Sequence, residues 1–161
     1  SDKYVILGTN NVDKDNSIYF LDKTDLSNEI DSYEPQSSTC FASAPVIDEG
    51  RVFLTSWSGY GLDFPIFSKI YSYMSVNSKL FAIDIVSKDE IWEPIDLPAS
   101  SFSSPAIGEN KVFVACQNMF GSNLFSYDIL TGKENWNISV GSPYGIIGRS
   151  SPLYADGKVF V

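Results

Sequence analysis

Ser-Ser-Pro-Ala-Ile-Gly-Glu-Asn-Lys-Val-Phe-Val, residues 103–114, returns as Ser-Ser-Pro-Leu-Tyr-Ala-Asp-Gly-Lys-Val-Phe-Val at 150–161. An earlier copy, Ser-Ala-Pro-Val-Ile-Asp-Glu-Gly-Arg-Val-Phe-Leu, occupies 43–54. Self-similarity at a period of roughly 40–60 residues marks a repeat architecture in which each unit is one supersecondary structure. A second block recurs between the copies. Leu124-Phe-Ser-Tyr-Asp128 leads to Thr131, Gly132 and Trp136, and Leu80-Phe-Ala-Ile-Asp84 leads to Ser87, Lys88 and Trp92. A weaker copy, Ser-Ile-Tyr-Phe-Leu-Asp at 17–22, is followed by Ile30 where the others carry Trp.

Each unit reads as four short strands. The segments 43–47, 103–107 and 150–154 are apolar runs closed by turns such as Glu49-Gly50 and Asp156-Gly157. Acidic-Gly pairs suit a tight hairpin because Gly tolerates positive φ. Lys-Val-Phe-Val-Ala at 111–115 is rich in β-branched and aromatic residues and reads as a second strand. A polar loop is expected at 117–123, a third strand over Leu-Phe-Ser-Tyr at 124–127, a turn at Thr131-Gly132-Lys133 and a fourth strand from Glu134. No window carries a helix-period apolar stripe, so the chain is expected to be all-β.

A four-stranded meander repeated along a chain is the signature of a β-propeller blade. The strings S-S-P-x-x-x-x-G-K-V-F-V and L-F-x-x-D-x-x-T-G-K-x-x-W resemble the repeat of pyrroloquinoline-quinone-type (PQQ-like) propellers. The resemblance covers essentially the whole chain, most strongly over 111–136. That family includes quinoprotein alcohol and glucose dehydrogenases and a lipoprotein of the outer-membrane barrel-assembly machinery. It implies that Trp92 and Trp136 dock neighbouring blades, with Asp84 and Asp128 bracing the turn that presents each ring. A large flat ring fills the gap between twisted sheets, and its N–H can reach a backbone carbonyl.

Strand counting gives a partial blade at 1–38, a full blade with an insertion at 39–98, a full blade at 99–146 and the start of another at 147–161. A closed propeller needs at least about four blades. The expectation is therefore a partial β-propeller, about three blades' worth of a larger ring of roughly six to eight.

Composition narrows the function classes. Eleven basic against twenty acidic residues give a net charge of −9. Nucleic-acid binding would need clustered Lys and Arg, so it is not expected. Nothing approaches the ~18 consecutive apolar residues of a membrane span. Richness in Ser, Asn, Asp and Tyr, with the PQQ-like resemblance, favours a periplasmic, cell-surface or secreted protein. Asn137-Ile-Ser139 matches the N-glycosylation triplet, a pattern common by chance.

Candidate chemistry is sparse. There is no His, the commonest general base and metal ligand. No Cys cluster suits zinc and no Asp-rich loop suits calcium. Asp13-Lys-Asp15 could form a cation loop, a solvated turn being the plainer reading. Arg149 could point into a central channel and hold an anion, or serve a surface or inter-blade hydrogen bond. Cys40 and Cys116 occupy non-equivalent positions, so two buried thiols are favoured over an inter-blade disulfide. No catalytic, cofactor-binding or metal-ligating residue is assigned.

One segment departs from the repeat. The connection 57–74 is about 14 residues longer than its counterparts and carries Trp57, Tyr60, Phe64, Phe67, Tyr71 and Tyr73. Such connections leave a propeller on the face that also bears the links between blades, here the 140–148 link with Tyr144. Aromatic loops present large rigid area at low entropic cost, which suits recognition. These rings could equally cover an adjacent blade. Two function classes stand. The favoured one is a non-enzymatic extracytoplasmic scaffold without a cofactor, binding a protein or glycan through its loop face. The alternative is part of a PQQ- and calcium-dependent quinoprotein dehydrogenase.

Overall fold

The computed structural model describes residues 3–10, 16–35, 40–41, 43–57, 78–118, 121–141 and 150–161. Fourteen strands and no helix are found among them. A first sheet holds β1 (Tyr4–Gly8), β2 (Ile18–Asp22) and β3 (Glu29–Tyr33) in that order. The second holds β4 (Cys40–Phe41), β5 (Val46–Asp48), β6 (Arg51–Trp57), β7 (Ser78–Asp84) and β8 (Ile95–Leu97). The third holds β9 (Ala106–Gly108), β10 (Lys111–Asn118), β11 (Gly121–Asp128) and β12 (Glu134–Gly141). β13 (Leu153–Ala155) and β14 (Lys158–Phe160) form a final pair. All pairings are antiparallel between strands close in sequence, as in a meander.

The first hairpin of each repeat follows from its turn residues. Glu49 and Gly50, Glu109 and Asn110, and Asp156 and Gly157 all have positive φ, the geometry of a two-residue hairpin loop whose twist matches its strands. The registers Asp48↔Arg51, Gly108↔Lys111 and Ala155↔Lys158 close directly over them. The inner strands begin just after the prolines, at Val46, Ala106 and Leu153, rather than at the preceding serines. Proline has no N–H to give a ladder, so it stands at the strand entrance. Upstream of it, the chain touches the same neighbour again: Cys40 pairs Trp57 in the second sheet, and Ser100 bridges Gln117 in the third.

One further expectation is corrected. The polar stretch 117–123 is mostly strand. β10 runs through Asn118, β11 starts at Gly121, and these two residues pair with each other. Ladder bonds are made by the backbone, so polar side chains do not end a strand that has a partner. The fourth strand of the second sheet is interrupted: Glu90 bridges Ile83, Pro94 intervenes, and β8 resumes at Ile95.

The core lies in the seams between sheets. Alternation along β6 sends Val52 and Leu54 toward the first sheet, where they meet Ile18, Phe20, Phe41 and Phe81. Phe53 points the other way, to Leu80, Val112, Val114, Phe125 and Tyr127 of the second and third sheets. A smaller cluster of Ala106, Phe113 and Leu124 faces the final pair through Tyr154 and Val159. The second and third sheets, each covered on both faces by a neighbour, require apolar residues on alternate and intervening positions alike. Val-Phe-Val supplies them.

Candidate functional site: turns, seams and a groove

The carboxylates of the repeat are held by turns. Asp128 Oδ1 accepts from the N–H of Leu130 at 3.1 Å, the N–H of Thr131 at 2.8 Å and the Thr131 hydroxyl at 2.8 Å. Asp84 Oδ1 accepts from the N–H groups of Val86 and Ser87 at 2.7 and 2.9 Å. Asp22 Oδ1 does the same for Thr24, through its N–H at 2.7 Å and its hydroxyl at 2.6 Å. These bonds favour the ionised form and hold all three carboxyls below the usual aspartate range. The leading causes are the Thr24 hydroxyl for Asp22, the Ser87 N–H for Asp84 and the Thr131 hydroxyl for Asp128.

The turns meet the neighbouring sheet. Trp92, half-buried, lies on the Gly132 turn of the third sheet, and its Nε1–H donates to the Ile129 carbonyl at 3.4 Å. A Cβ on Gly132 would come within 2.9 Å of the Trp92 ring, and Gly132 has φ +68°. Both demands call for glycine. The seam between the first and second sheets solves the same problem differently. Ile30 replaces the ring, and Lys88, at φ 66°, stands where Gly132 does. Its ammonium lies 5.0 Å from the Tyr4 ring centroid and 4.5 Å from that of Phe20. Trp136 packs on Phe113 with centroids 5.9 Å apart and is 39% exposed.

The Ser-Ser-Pro motif links sheets in series. The N–H of Ala44 donates to Ser104 Oγ at 3.0 Å, and the N–H of Ser104 donates to Ser151 Oγ at 3.0 Å. The first serine of the motif serves its own sheet. Ser43 Oγ accepts from the N–H of Thr55 at 2.8 Å, and Ser103 Oγ donates to the Ala115 carbonyl at 3.2 Å. Sequence reading recognised the motif without assigning these bonds. The regular spacing of the second hydroxyl was the signal.

Of the aromatic residues proposed for the loop face, Trp57 is described. It ends β6, is half-buried, and its ring packs on Phe102 with centroids 5.5 Å apart. Tyr60, Phe64, Phe67, Tyr71, Tyr73 and Tyr144 lie outside the described residues, as do Asp13, Asp15 and Arg149. Cys40 and Cys116 are both buried thiols. Burial pushes the Cys116 thiol up to about 12. Among the described residues no group of three or more His, Cys, Asp or Glu could hold a metal ion, and no helix is long and apolar enough to cross a membrane.

A groove of about 470 Å³ opens in the first seam, lined by Tyr33, Pro35, Lys79, Phe81, Glu90, Glu93 and Pro94. The Tyr33 hydroxyl donates to Glu90 Oε1, and its ring meets Phe81 edge-on with centroids 6.3 Å apart. Burial first, and Glu90 second, push the Tyr33 hydroxyl well above the ordinary phenol range. Lys79 Nζ pairs with Asp96 Oδ1 at 2.9 Å.

Antiparallel meanders stacked through apolar seams, with their proline-led inner strands side by side, define a β-propeller of PQQ-like repeats. The family model described as outer membrane protein assembly factor BamB matches residues 28–161, and the chain belongs to that family. No curated protein matches the sequence. Among solved structures, BamB from Moraxella catarrhalis is similar with a TM-score of 0.61 at 13% identity, over 96% of this chain and 39% of that one. A europium-containing methanol dehydrogenase gives 0.57 at 17% identity, over 85% and 23%. The quinohemoprotein alcohol dehydrogenase ADHIIG from Pseudomonas putida HK5 gives 0.56 at 20% identity, over 83% and 19%. The chain thus spans well under half the length of each. At these identities the likeness is one of fold.

Proposed function

We propose that this chain is part of a non-enzymatic, extracytoplasmic scaffold propeller that holds a protein or glycan partner on its loop face. The observation that carries the reading is the occupation of its carboxylates. Asp22, Asp84 and Asp128, the three with depressed pKa, each close a turn through two or three hydrogen bonds. Perturbed carboxylates in a cleft would point to catalysis. Here they serve the repeat. Membership of a family described by an outer-membrane assembly factor supports the same class and an extracytoplasmic setting. The blade-docking role of Trp92 and Trp136 belongs to this reading: Trp92 bridges two sheets, and Trp136 packs on Phe113.

The dehydrogenase reading rests on the fold likeness to the two alcohol-oxidising enzymes. Fold alone does not fix function. One experiment separates the two. The full-length protein is titrated with PQQ and calcium while absorbance, melting temperature and dye-linked alcohol oxidation are followed. The scaffold reading expects no saturable change in any of them. A saturable quinone spectrum with alcohol turnover would replace it with the dehydrogenase. Shortening the 57–74 connection to a four-residue turn while keeping Trp57, which packs on Phe102, should leave the propeller folded and abolish partner binding. A loss of stability instead would assign that segment to packing.

A further inference from the structure

The repeat supplies an internal standard for what the architecture requires. In the seam between the second and third sheets, the positions equivalent to the groove lining carry Ile95 and Leu97 for Tyr33 and Pro35, and Asn123 and Asn137 for Lys79 and Glu93. That seam is filled: Leu97 is buried and Ile95 packs on the core beside Trp92. Phe81 and Phe125 agree between seams, as do Glu90 and Glu134. The first seam therefore keeps its aromatic floor and loses its apolar filling. Side chains that the fold does not require, Tyr33, Lys79 and Glu93, line the space that results.

We propose that this groove receives an arginine or lysine side chain presented by an extended segment of a protein partner. Charge decides the sign. Glu90 and Glu93 are exposed at the groove, and Lys79, its one cation among the described lining residues, is already neutralised by Asp96 at 2.9 Å. The chain as a whole carries −9, so the wider field also draws cations. Shape decides the class. Pro35 and Pro94, half-buried above the buried Phe81 ring, offer apolar area to the methylene stem of a long basic side chain, while its charged head stays with the carboxylates at the exposed rim. The Tyr33 hydroxyl donates to one oxygen of Glu90 and leaves the other to accept from a guanidinium or ammonium. Lys79 follows the 57–74 connection, and Tyr33 and Pro35 run into the link between the first two sheets, so the groove borders the loop face and the proposal rests on the function proposed above. A carboxylate variant leaves the connection intact, so its failure is distinguishable from that of the loop replacement.

The probe is a fluorescein-labelled hexapeptide of alternating arginine and glycine, titrated into the full-length protein and followed by anisotropy. Saturable binding that weakens with added salt is expected. Glu90→Gln with Glu93→Gln should weaken it roughly tenfold or more; the amide oxygen introduced at position 90 still accepts from Tyr33, so the seam is retained. Asp156→Asn, on a distant exposed turn, should leave binding unchanged. Lys79→Gln should tighten it, because the Asp96 carboxylate it now neutralises is left to add negative charge beside the groove. Equal binding by wild type and the Glu90/Glu93 variant would reduce the effect to diffuse charge attraction and overturn the proposal. So would tighter binding of an uncharged oligosaccharide, lost in the same variant, or weaker binding by Lys79→Gln.

Discussion

At Gly132 two constraints fall on one residue. Its φ of +68° lies in the left-handed region, and the Trp92 ring sits where a Cβ would have to go. Gly132→Ala is expected to cost about 2 kcal/mol, backbone strain and the displaced ring each contributing. Trp92→Ala, which removes a half-buried ring, should cost roughly 2–3 kcal/mol. Because both act on one contact, the double variant should cost less than their sum. Chemical denaturation of the four species tests this. Strict additivity would mean that the ring does not press on the turn. Lys88 shows the constraint from the other side: with Ile30 in place of the ring, the same backbone conformation carries a long side chain, its ammonium over Tyr4 and Phe20.

The third-to-fourth-strand turn is the element whose chemistry can be followed by titration. Asp22, Asp84 and Asp128 have folded pKa values below the ordinary 3.8. A depressed folded pKa adds stability that is present above the unfolded value and lost as pH falls through the folded one. The turns should therefore weaken as pH falls below about 3.8, and only there. Replacing all three by Asn keeps an accepting oxygen and removes the titration. The variant should show a shallower acid limb in melting temperature, with salt moderating the difference because these groups are exposed. An unchanged acid limb would mean that other carboxylates govern it.

The same elements show what could be read in advance. Turns declared themselves because Gly, Asp and Thr at fixed offsets have few conformations open to them. Strand pairs were legible in the Val-Phe-Val and Leu-Phe-x-x-Asp runs, which need partners on both faces. The extension of β10 and β11 through polar residues was hidden, since ladder bonds carry no side-chain signature. The groove was hidden too. It arises from Tyr33 and Pro35 standing opposite Lys79 and Glu90, and residues this far apart in sequence meet only once the sheets are stacked.

Across the whole molecule the seams are unequal. The second has a Trp ring on a Gly turn, filled apolar positions and a Ser104 hydroxyl accepting from the preceding sheet. The first has Ile30 in place of the ring and an open groove. Its main-chain tie is the N–H of Phe41 to the Thr9 carbonyl at 3.0 Å. Repeat arrays open at their weakest interface, as cooperative units of one repeat.

The seam with the open groove thus marks a place in time as well as in space. In native-state hydrogen exchange, amides of Tyr4–Gly8 and Ile18–Asp22 should exchange as one group, ahead of those in Lys111–Asn118 and Gly121–Asp128. Ile30→Trp with Lys88→Gly would give the first seam the ring-on-turn contact of the second. If the first sheet then slows toward the others, one ring and its turn set the order in which this protein comes apart. If the sheets exchange together in the parent chain, the seams are energetically matched, and the ring-for-lysine exchange at Ile30 and Lys88 is a full replacement.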